Sequence, residues 1–323
     1  MHTRVVFSPH FRYFLLLLLL IGAPFFFWGG PGYYSSRSFQ AAWDTGHIFY
    51  FMVFTYWLHQ CLRTRGKEFS PPAEFFFIFF IVLFLGITVE VLQTLGSSRS
   101  PDMGDVVRNQ LGCLLVYSFI ARTGILARYW LRICVRFGVV SAILIAVWPL
   151  TRALIDEYLA RQQFPVLADF ETPFERYRWN HSDQLQTGSD IVRHGHRAAR
   201  VQLSTNQYSG VALFYFPHDW RGFQTLHFSV YNPKKTPLML NARIHDVHHK
   251  KHGLEYSDRY NQGFDIESGW NDLVIPLDKV AAAPKGRTMD MQHIEGFGLF
   301  VIQQPCAQVI YLDNVYLGPS PGK

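Results

Sequence analysis

Six polar residues, Glu90, Gln93, Arg99, Asp102, Asp105 and Asn109, are threaded through stretches otherwise apolar enough for a lipid bilayer. A carboxylate at the centre of hydrocarbon costs at least ~2.5 kcal/mol, so such residues face a protein interior, a water-filled cavity or the interface, and each marks a site by default. Glu90 and Gln93 are three apart, and Asp102, Asp105, Asn109 and Gly112 follow steps of three, four and three. Each set therefore lines one helix face. Asp44 and His47 open the preceding apolar stretch and add a carboxylate and an imidazole. Carboxylates, an imidazole and a guanidinium at one depth can serve as acid and base around a lipid headgroup. The same groups can also be structural, with Gln and Asn bridging helices and Glu paired to Arg. For Asp102, beside Pro101, a helix-capping role is the preferred reading. Metal binding through Asp44, His47 and Glu90 lacks a ligand pair of diagnostic spacing.

These residues must be positioned by helices. The chain has 323 residues and 49% hydrophobic composition, concentrated before about Leu154. Five segments approach the roughly twenty apolar residues that a crossing needs: Phe11 to Trp28, Trp43 to Leu62, Phe75 to Leu95, Val106 to Ile120 and Cys134 to Leu150. The first is read as a span and not a leader, because its apolar run continues through Trp28 without a small-x-small cleavage site. Arg4, Arg12, Arg63, Arg65, Lys67, Arg122, Arg128, Arg132 and Arg136 fall on one side of this array, which makes the amino terminus cytoplasmic. Asp44, His47, Glu90, Gln93 and the run from Asp102 to Asn109 then share the outer leaflet, and no comparable polar set is read at the cytoplasmic ends. The net charge of +6 reflects these connecting basic residues, and no nucleic-acid motif is present. Cys61, Cys113, Cys134 and Cys306 show no pairing pattern.

Glu90, Gln93, Arg99, Asp105, Asn109 and Gly112, with Asp44 and His47 ahead of them, resemble the signature of the VanZ-like membrane family over roughly Phe11 to Ile120. Thr45 stands where the family pattern has a lysine, and Val116 where it has a second glycine. The resemblance implies a helical membrane bundle and assigns no reaction.

From Phe164 the texture changes to short segments of alternating polarity bounded by turn residues, which predicts an all-β sandwich. Strands are read around Val201, Ala212, Leu226 to Tyr231, Leu240 to His245, Phe264, Leu273 to Ile275, Phe297 to Val301 and Val309 to Leu317. Asp169, Phe170 and Glu171, then Gly269, Trp270 and Asn271, then Tyr311 to Val315, resemble galactose-binding-like jelly rolls of carbohydrate-binding modules. The resemblance implies a structural calcium between the first and last strands, with Glu171 and Asp313 as ligands. Outward parity gives a sugar-binding face of His227, Tyr231, Arg243, His245, Arg259 and Asn261, with Tyr256 nearby; a solvated sheet face is the alternative. Trp179, Trp220 and Trp270 are read as packing aromatics, and His245, His248, His249 and His252 as a strand end and polar loop, since Lys250 and Lys251 among them disfavour a divalent ion.

The expected protein is multi-domain. Residues 1–122 form a VanZ-like four-helix transmembrane domain, 123–163 a cytoplasmic loop, fifth transmembrane helix and linker, and 164–323 an exported β-sandwich. This all-α polytopic bundle followed by an all-β jelly roll suggests a cell-envelope membrane protein that handles an envelope glycan or a lipid-linked glycan precursor. A non-enzymatic anchored scaffold, whose sandwich recruits a protein partner, is the rival. Transport is disfavoured by the confinement of the polar set to one leaflet.

Overall fold

The computed structural model describes residues 9–32, 35–64, 69–96, 102–120, 128–181 and 183–319. Arg99 lies outside the described residues, as do Pro101 and the orienting residues Arg4, Arg65, Lys67 and Arg122. The chain divides into two compact units, Met1–Ala153 and Leu154–Lys323.

The first unit is helical, with α1 (Pro9–Gly22), α2 (Arg37–Thr64), α3 (Pro71–Gly96), α4 (Met103–Leu115) and most of α5 (Tyr129–Gln163). α3 starts on Pro71 and Pro72, where a missing N–H leaves no intrahelical bond unmade. α4 starts where extended Asp102 accepts the Gly104 amide at 2.7 Å, which is the predicted cap. After Leu115 the chain widens into a π turn, Val116–Ile120.

All five expected segments are helical, but among the described residues length and apolarity single out three as candidate spans: Pro9–Phe26, Pro71–Leu95 and Tyr129–Gln163. Asp44, His47, His59 and Gln60 dilute α2, and α4 rises only about 20 Å against a hydrocarbon core of about 30 Å. The polarity of α3 is inverted relative to a water-soluble helix. It buries Glu74, Glu90 and Gln93 while exposing Phe76, Phe80 and Phe84, the last 70% exposed.

The stretch from Arg152 to Phe164, expected as a linker, is helical almost throughout, because α5 continues to Gln163. Its last turns belong to the second unit. Asp156 there pairs with Arg178 (Nη2 to Oδ1, 2.9 Å), both fully buried, and Arg178 also donates to the Leu167 carbonyl at 3.0 Å.

The second unit carries β1 (Val166–Ala168), β2 (Trp179–Asn180), β3 (Leu185–Gly188), β4 (Ala198–Leu203), β5 (Tyr208–Leu213), β6 (Thr225–Asn232), β7 (Leu238–Asp246), β8 (Tyr260–Ile266), β9 (Gly269–Pro276), the short α6 (Leu277–Ala281), β10 (Ile294–Ile302) and β11 (Gln308–Gly318). One antiparallel sheet has the order β3-β4-β11-β6-β9, with β1 on β11; the other has β2-β5-β10-β7-β8. Period-two alternation turns Leu226, Phe228 and Val230 of the first sheet and Leu240, Ala242 and Ile244 of the second into one shared core. Phe297, Leu299, Trp179 and Trp220 join that core, so two of the three tryptophans are packing residues as expected.

Candidate functional site

In the helical unit, α2, α3 and α4 assemble one polar cluster. His47 on α2 donates from Nδ1 to Asn109 Oδ1 at 3.1 Å, and its Nε2 lies 3.5 Å from Asp105 Oδ2. Arg108, one turn beyond Asp105, donates to Asp105 Oδ1 at 2.5 Å and reaches Asp102 at 3.3 Å and Asp44 at 3.8 Å. Glu90 Oε2 accepts the Asp102 amide at 2.8 Å. Gln93 turns elsewhere and donates to the Phe26 carbonyl at 2.7 Å. Thus Asp44, His47, Glu90, Asp105 and Asn109 converge, Gln93 lies at their margin, and three carboxylates, Asp44, Asp102 and Asp105, surround the Arg108 guanidinium.

Two glycines let the helices close around this cluster. A Cβ on Gly112 would lie 2.4 Å from the Ile48 carbonyl of α2, and one on Gly86 would lie 2.8 Å from Asn109 Nδ2. Among the described residues, Glu90 Oε1 and Asn109 Nδ2 are buried without a hydrogen-bond partner, so the cluster has accepting and donating capacity that these residues do not use. His47 also forms part of the wall of an apolar cavity of about 400 Å³ between the α1 end and α2, lined by Leu18, Leu19, Phe25, Phe39 and Trp43 among others. A polar cluster and an apolar slot therefore share one imidazole.

A second polar set occupies the other end of the same helices, against expectation. His59, about 18 Å of helix rise beyond His47, pairs through Nδ1 with Glu74 of α3, and the Tyr117 hydroxyl donates to the same Glu74 oxygen at 3.2 Å. His59 and Glu74 are buried. Phe51, Ile78, Val82 and Cys113 pack as an apolar layer of this unit, one helical turn from His47 at Phe51.

In the sandwich, the six predicted sugar-face residues divide between the two sheets. His227 and Tyr231 are on β6. The His227 ring stacks on Tyr316 with centroids 4.6 Å apart, and Tyr231 packs against Trp270 and Tyr311. Arg243 and His245 are on β7, Asn261 is on β8 and Arg259 immediately precedes it, all in the other sheet. Parity along each strand is as expected, but it separates inside from outside without saying which outside, so the single six-residue face is corrected to two faces.

The β7–β8 face is laid out by register. Arg243 is paired with Gly298 on one side and Asn261 on the other, and Asn241 with Phe300 and Gly263. A Cβ on Gly298 would lie 2.8 Å from Arg243 Nε, so glycine there is what lets Arg243 lie flat. Its guanidinium sits 5.9 Å from the Phe300 ring centroid, and that of Arg259 sits 5.4 Å from Tyr256. Tyr208 packs against Phe300 and is 63% exposed. Burial, followed by the neighbouring charge of Arg243, pulls the Arg259 guanidinium below its ordinary pKa. Burial first, and His249 second, holds His245 down to about 3.

One end of this face is braced by Arg287, Asp246 and Asp258, which the sequence did not single out, together with His249. Arg287 bonds both Asp246 and Asp258, and His249 Nδ1 lies 3.2 Å from Asp258 Oδ2. Hydrogen bonds from Arg287 draw Asp258 down to about 2. His248 and His252 sit in the adjoining turns, as expected of a polar loop.

Glu171 and Asp313, expected as calcium ligands, both hold the loop before β4. Asp313 accepts the amides of Arg193 (2.7 Å) and His194 (2.9 Å) on Oδ2, and Glu171 Oε1 accepts those of His196 (2.6 Å) and Arg197 (2.9 Å). Gly195, at φ +70°, makes this possible, since a Cβ would lie 2.3 Å from Glu171 Oε1. The donors aimed at Asp313 Oδ2 and Glu171 Oε1 are backbone N–H groups, which complement the two carboxylates.

No protein-family profile matches the chain, and no curated protein matches it. Among solved structures, the sandwich half is similar to a family 11 carbohydrate-binding module from Clostridium thermocellum in complex with a β-1,3-1,4-mixed-linked tetrasaccharide, at 14% identity and TM-score 0.36, covering 48% of this chain and 94% of that one. It is also similar to an exo-β-agarase, at 15% identity and TM-score 0.38, covering 49% of this chain and 25% of that one. A third is the family 30 carbohydrate-binding module of a Clostridium thermocellum cellulosomal cellulase, at 12% identity and TM-score 0.33, covering 43% of this chain and 84% of that one.

Proposed function

We propose that this is an integral membrane protein of the cell envelope that binds an envelope glycan or its lipid-linked precursor. In this reading the helical unit lies in the bilayer with its amino terminus cytoplasmic, as a VanZ-like bundle of up to five crossings. The sandwich is exported and holds saccharide on the β7–β8 face. The exposed phenylalanines of α3 support the membrane assignment, since water would not favour such a surface and lipid would.

The observation that carries the ligand reading is the junction at His47. An apolar slot suits a lipid chain, and the carboxylate-rich cluster beside it suits the hydroxyl donors of a sugar headgroup, with Glu90 Oε1 and Asn109 Nδ2 still to be satisfied. The same groups in acid and base roles would allow a proton transfer on that headgroup.

The test is equilibrium binding of a polyprenyl-linked disaccharide to the full-length protein in detergent, with the lipid-free disaccharide in parallel. We expect the lipid-linked form to bind more tightly, and Glu90→Gln with Asp105→Asn to weaken it by about tenfold or more. Equal binding by the doubly substituted protein would sink the site and favour the scaffold, whose helices are only an anchor.

A further inference from the structure

The buried stripes of α2 and α3 each carry an ionisable group at both ends. On α3 the inward residues step by four, Glu74, Ile78, Val82, Gly86 and Glu90, so buried carboxylates stand about 24 Å apart along one helix face. On α2 the inward residues His47, Phe51, Thr55 and His59 also step by four and set two buried imidazoles about 18 Å apart. The sequence alone points to one end, and the structure supplies the other.

Each end sets an imidazole against a carboxylate. At one, His59 Nδ1 meets Glu74 Oε1, the Tyr117 hydroxyl donates to the same oxygen, and the charge of Arg63 acts on that carboxylate. At the other, His47 Nε2 lies 3.5 Å from Asp105 Oδ2 and its Nδ1 meets Asn109, with Glu90, Asp44 and Arg108 as the surrounding charges and the Phe26 ring edge-on to the imidazole. Between the ends lies the apolar layer of Phe51, Ile78, Val82 and Cys113, in which the fully buried Thr55 sits beside the Cys113 thiol.

We infer that the helical unit conducts protons between its two ends. A proton enters at one imidazole–carboxylate pair, crosses the layer past the Thr55 hydroxyl and Cys113 thiol when water wets it, and leaves from the other pair. No other bond is made or broken, and a membrane potential or pH difference supplies the drive. Carboxylates and imidazoles within membrane helices are expensive and mark proton relays, while a dry apolar constriction keeps such a path from leaking continuously. This activity goes beyond the glycan reading and rests only on its placement of the helices in a bilayer.

The test reconstitutes the full-length protein into phosphatidylcholine and phosphatidylglycerol vesicles that hold a pH-sensitive dye, and imposes a potassium diffusion potential with valinomycin. We expect internal pH to change faster than in protein-free vesicles, and Glu74→Gln and Glu90→Gln each to slow the protein-dependent rate by about tenfold or more. Because the two carboxylates act in series on one path, the double substitution should be no more than about twofold slower than the slower single one, whereas two independent structural lesions would multiply. Protein that inserts but conducts no faster than bare vesicles, single variants as fast as the unsubstituted protein, or multiplied losses each overturn this inference and leave glycan binding standing. Protein that does not float with the vesicles overturns the membrane reading as well. The rate of the unsubstituted protein is read on its own, so the outcome does not hang on a variant folding.

Discussion

Glu295 is a carboxylate that its own strand has buried. It occupies the irregular position of β10, it is 9% exposed, and its Oε2 takes no hydrogen bond among the described residues. Burial first, and the charge of Asp246 second, pushes its carboxyl up to about 7. A folded-state value above the ordinary one means that the folded chain holds this proton more tightly than the unfolded chain, so the stabilisation is complete in acid and is lost as pH rises through about 7. His245, held down to about 3, works in the other direction: its contribution is present above its ordinary range and disappears as pH falls towards 3. Replacing Glu295 with Gln should therefore flatten the decline in stability between about pH 5 and pH 8, by on the order of 2 kcal/mol. Urea unfolding at several pH values reads this directly, and parallel curves for the two proteins would refute it. At this scale the sequence was informative where partners are close in the chain. Arg108 stands three residues from Asp105, a spacing that puts the two on one helix face, though nothing local marks it as the partner of Asp44 as well. Arg287 meets Asp258 and Asp246 from 29 and 41 residues away, and no local pattern announces such a meeting.

Helix approach decides whether the polar cluster exists at all. α4 reaches α2 at Gly112, where a Cβ would meet the Ile48 carbonyl at 2.4 Å and the Met52 amide at 2.8 Å, both main-chain atoms that cannot turn aside. Gly112→Ala must push the helices apart, at a cost of about 1–3 kcal/mol, and must also lengthen the His47–Asn109 and His47–Asp105 contacts. Gly138 in α5 is the control, because a Cβ there meets nothing within 4 Å. Thermal denaturation in detergent should show a clear loss for Gly112→Ala and none for Gly138→Ala; similar melting of both would mean that the close approach carries no energy. The α4 cap and its polar face could be read from Asp102, Asp105, Asn109 and Gly112 because helix periodicity is local. The two sheets of the sandwich could not be told apart, since His227 and Arg243 have the same parity and differ only in which sheet their strand joins. That choice is made by pairing at long range, β6 with β11 and β9, β7 with β10 and β8. The helical stretch from Arg152 to Gln163 was hidden for the same reason, since Asp156 finds Arg178 only once the sandwich has formed.

For the whole molecule, the side proposed for the sandwich depends on the parity of the crossings and not on their number. Three crossings, by α1, α3 and α5, and five crossings, with α2 and α4 added, both carry the sandwich to the side opposite the amino terminus. In the proposed orientation with five crossings, Arg12, Arg63, Arg128, Arg132 and Arg136 all share the cytoplasmic side with the amino terminus. The chain's own cysteines test this without engineering. Cys306 lies in the sandwich and is exposed, with Lys234 Nζ 3.2 Å from its sulfur; Cys113 is buried in the helical unit, and Cys134 is near the start of α5. A membrane-impermeant maleimide added to intact protoplasts should label Cys306 before lysis, and Cys306→Ser should remove that signal. Cys134, beside the cytoplasmic basic cluster, should be protected until the membrane is opened. Labelling of Cys306 only after lysis would place the sandwich inside the cell, away from any envelope glycan, and would overturn the proposed function together with the topology.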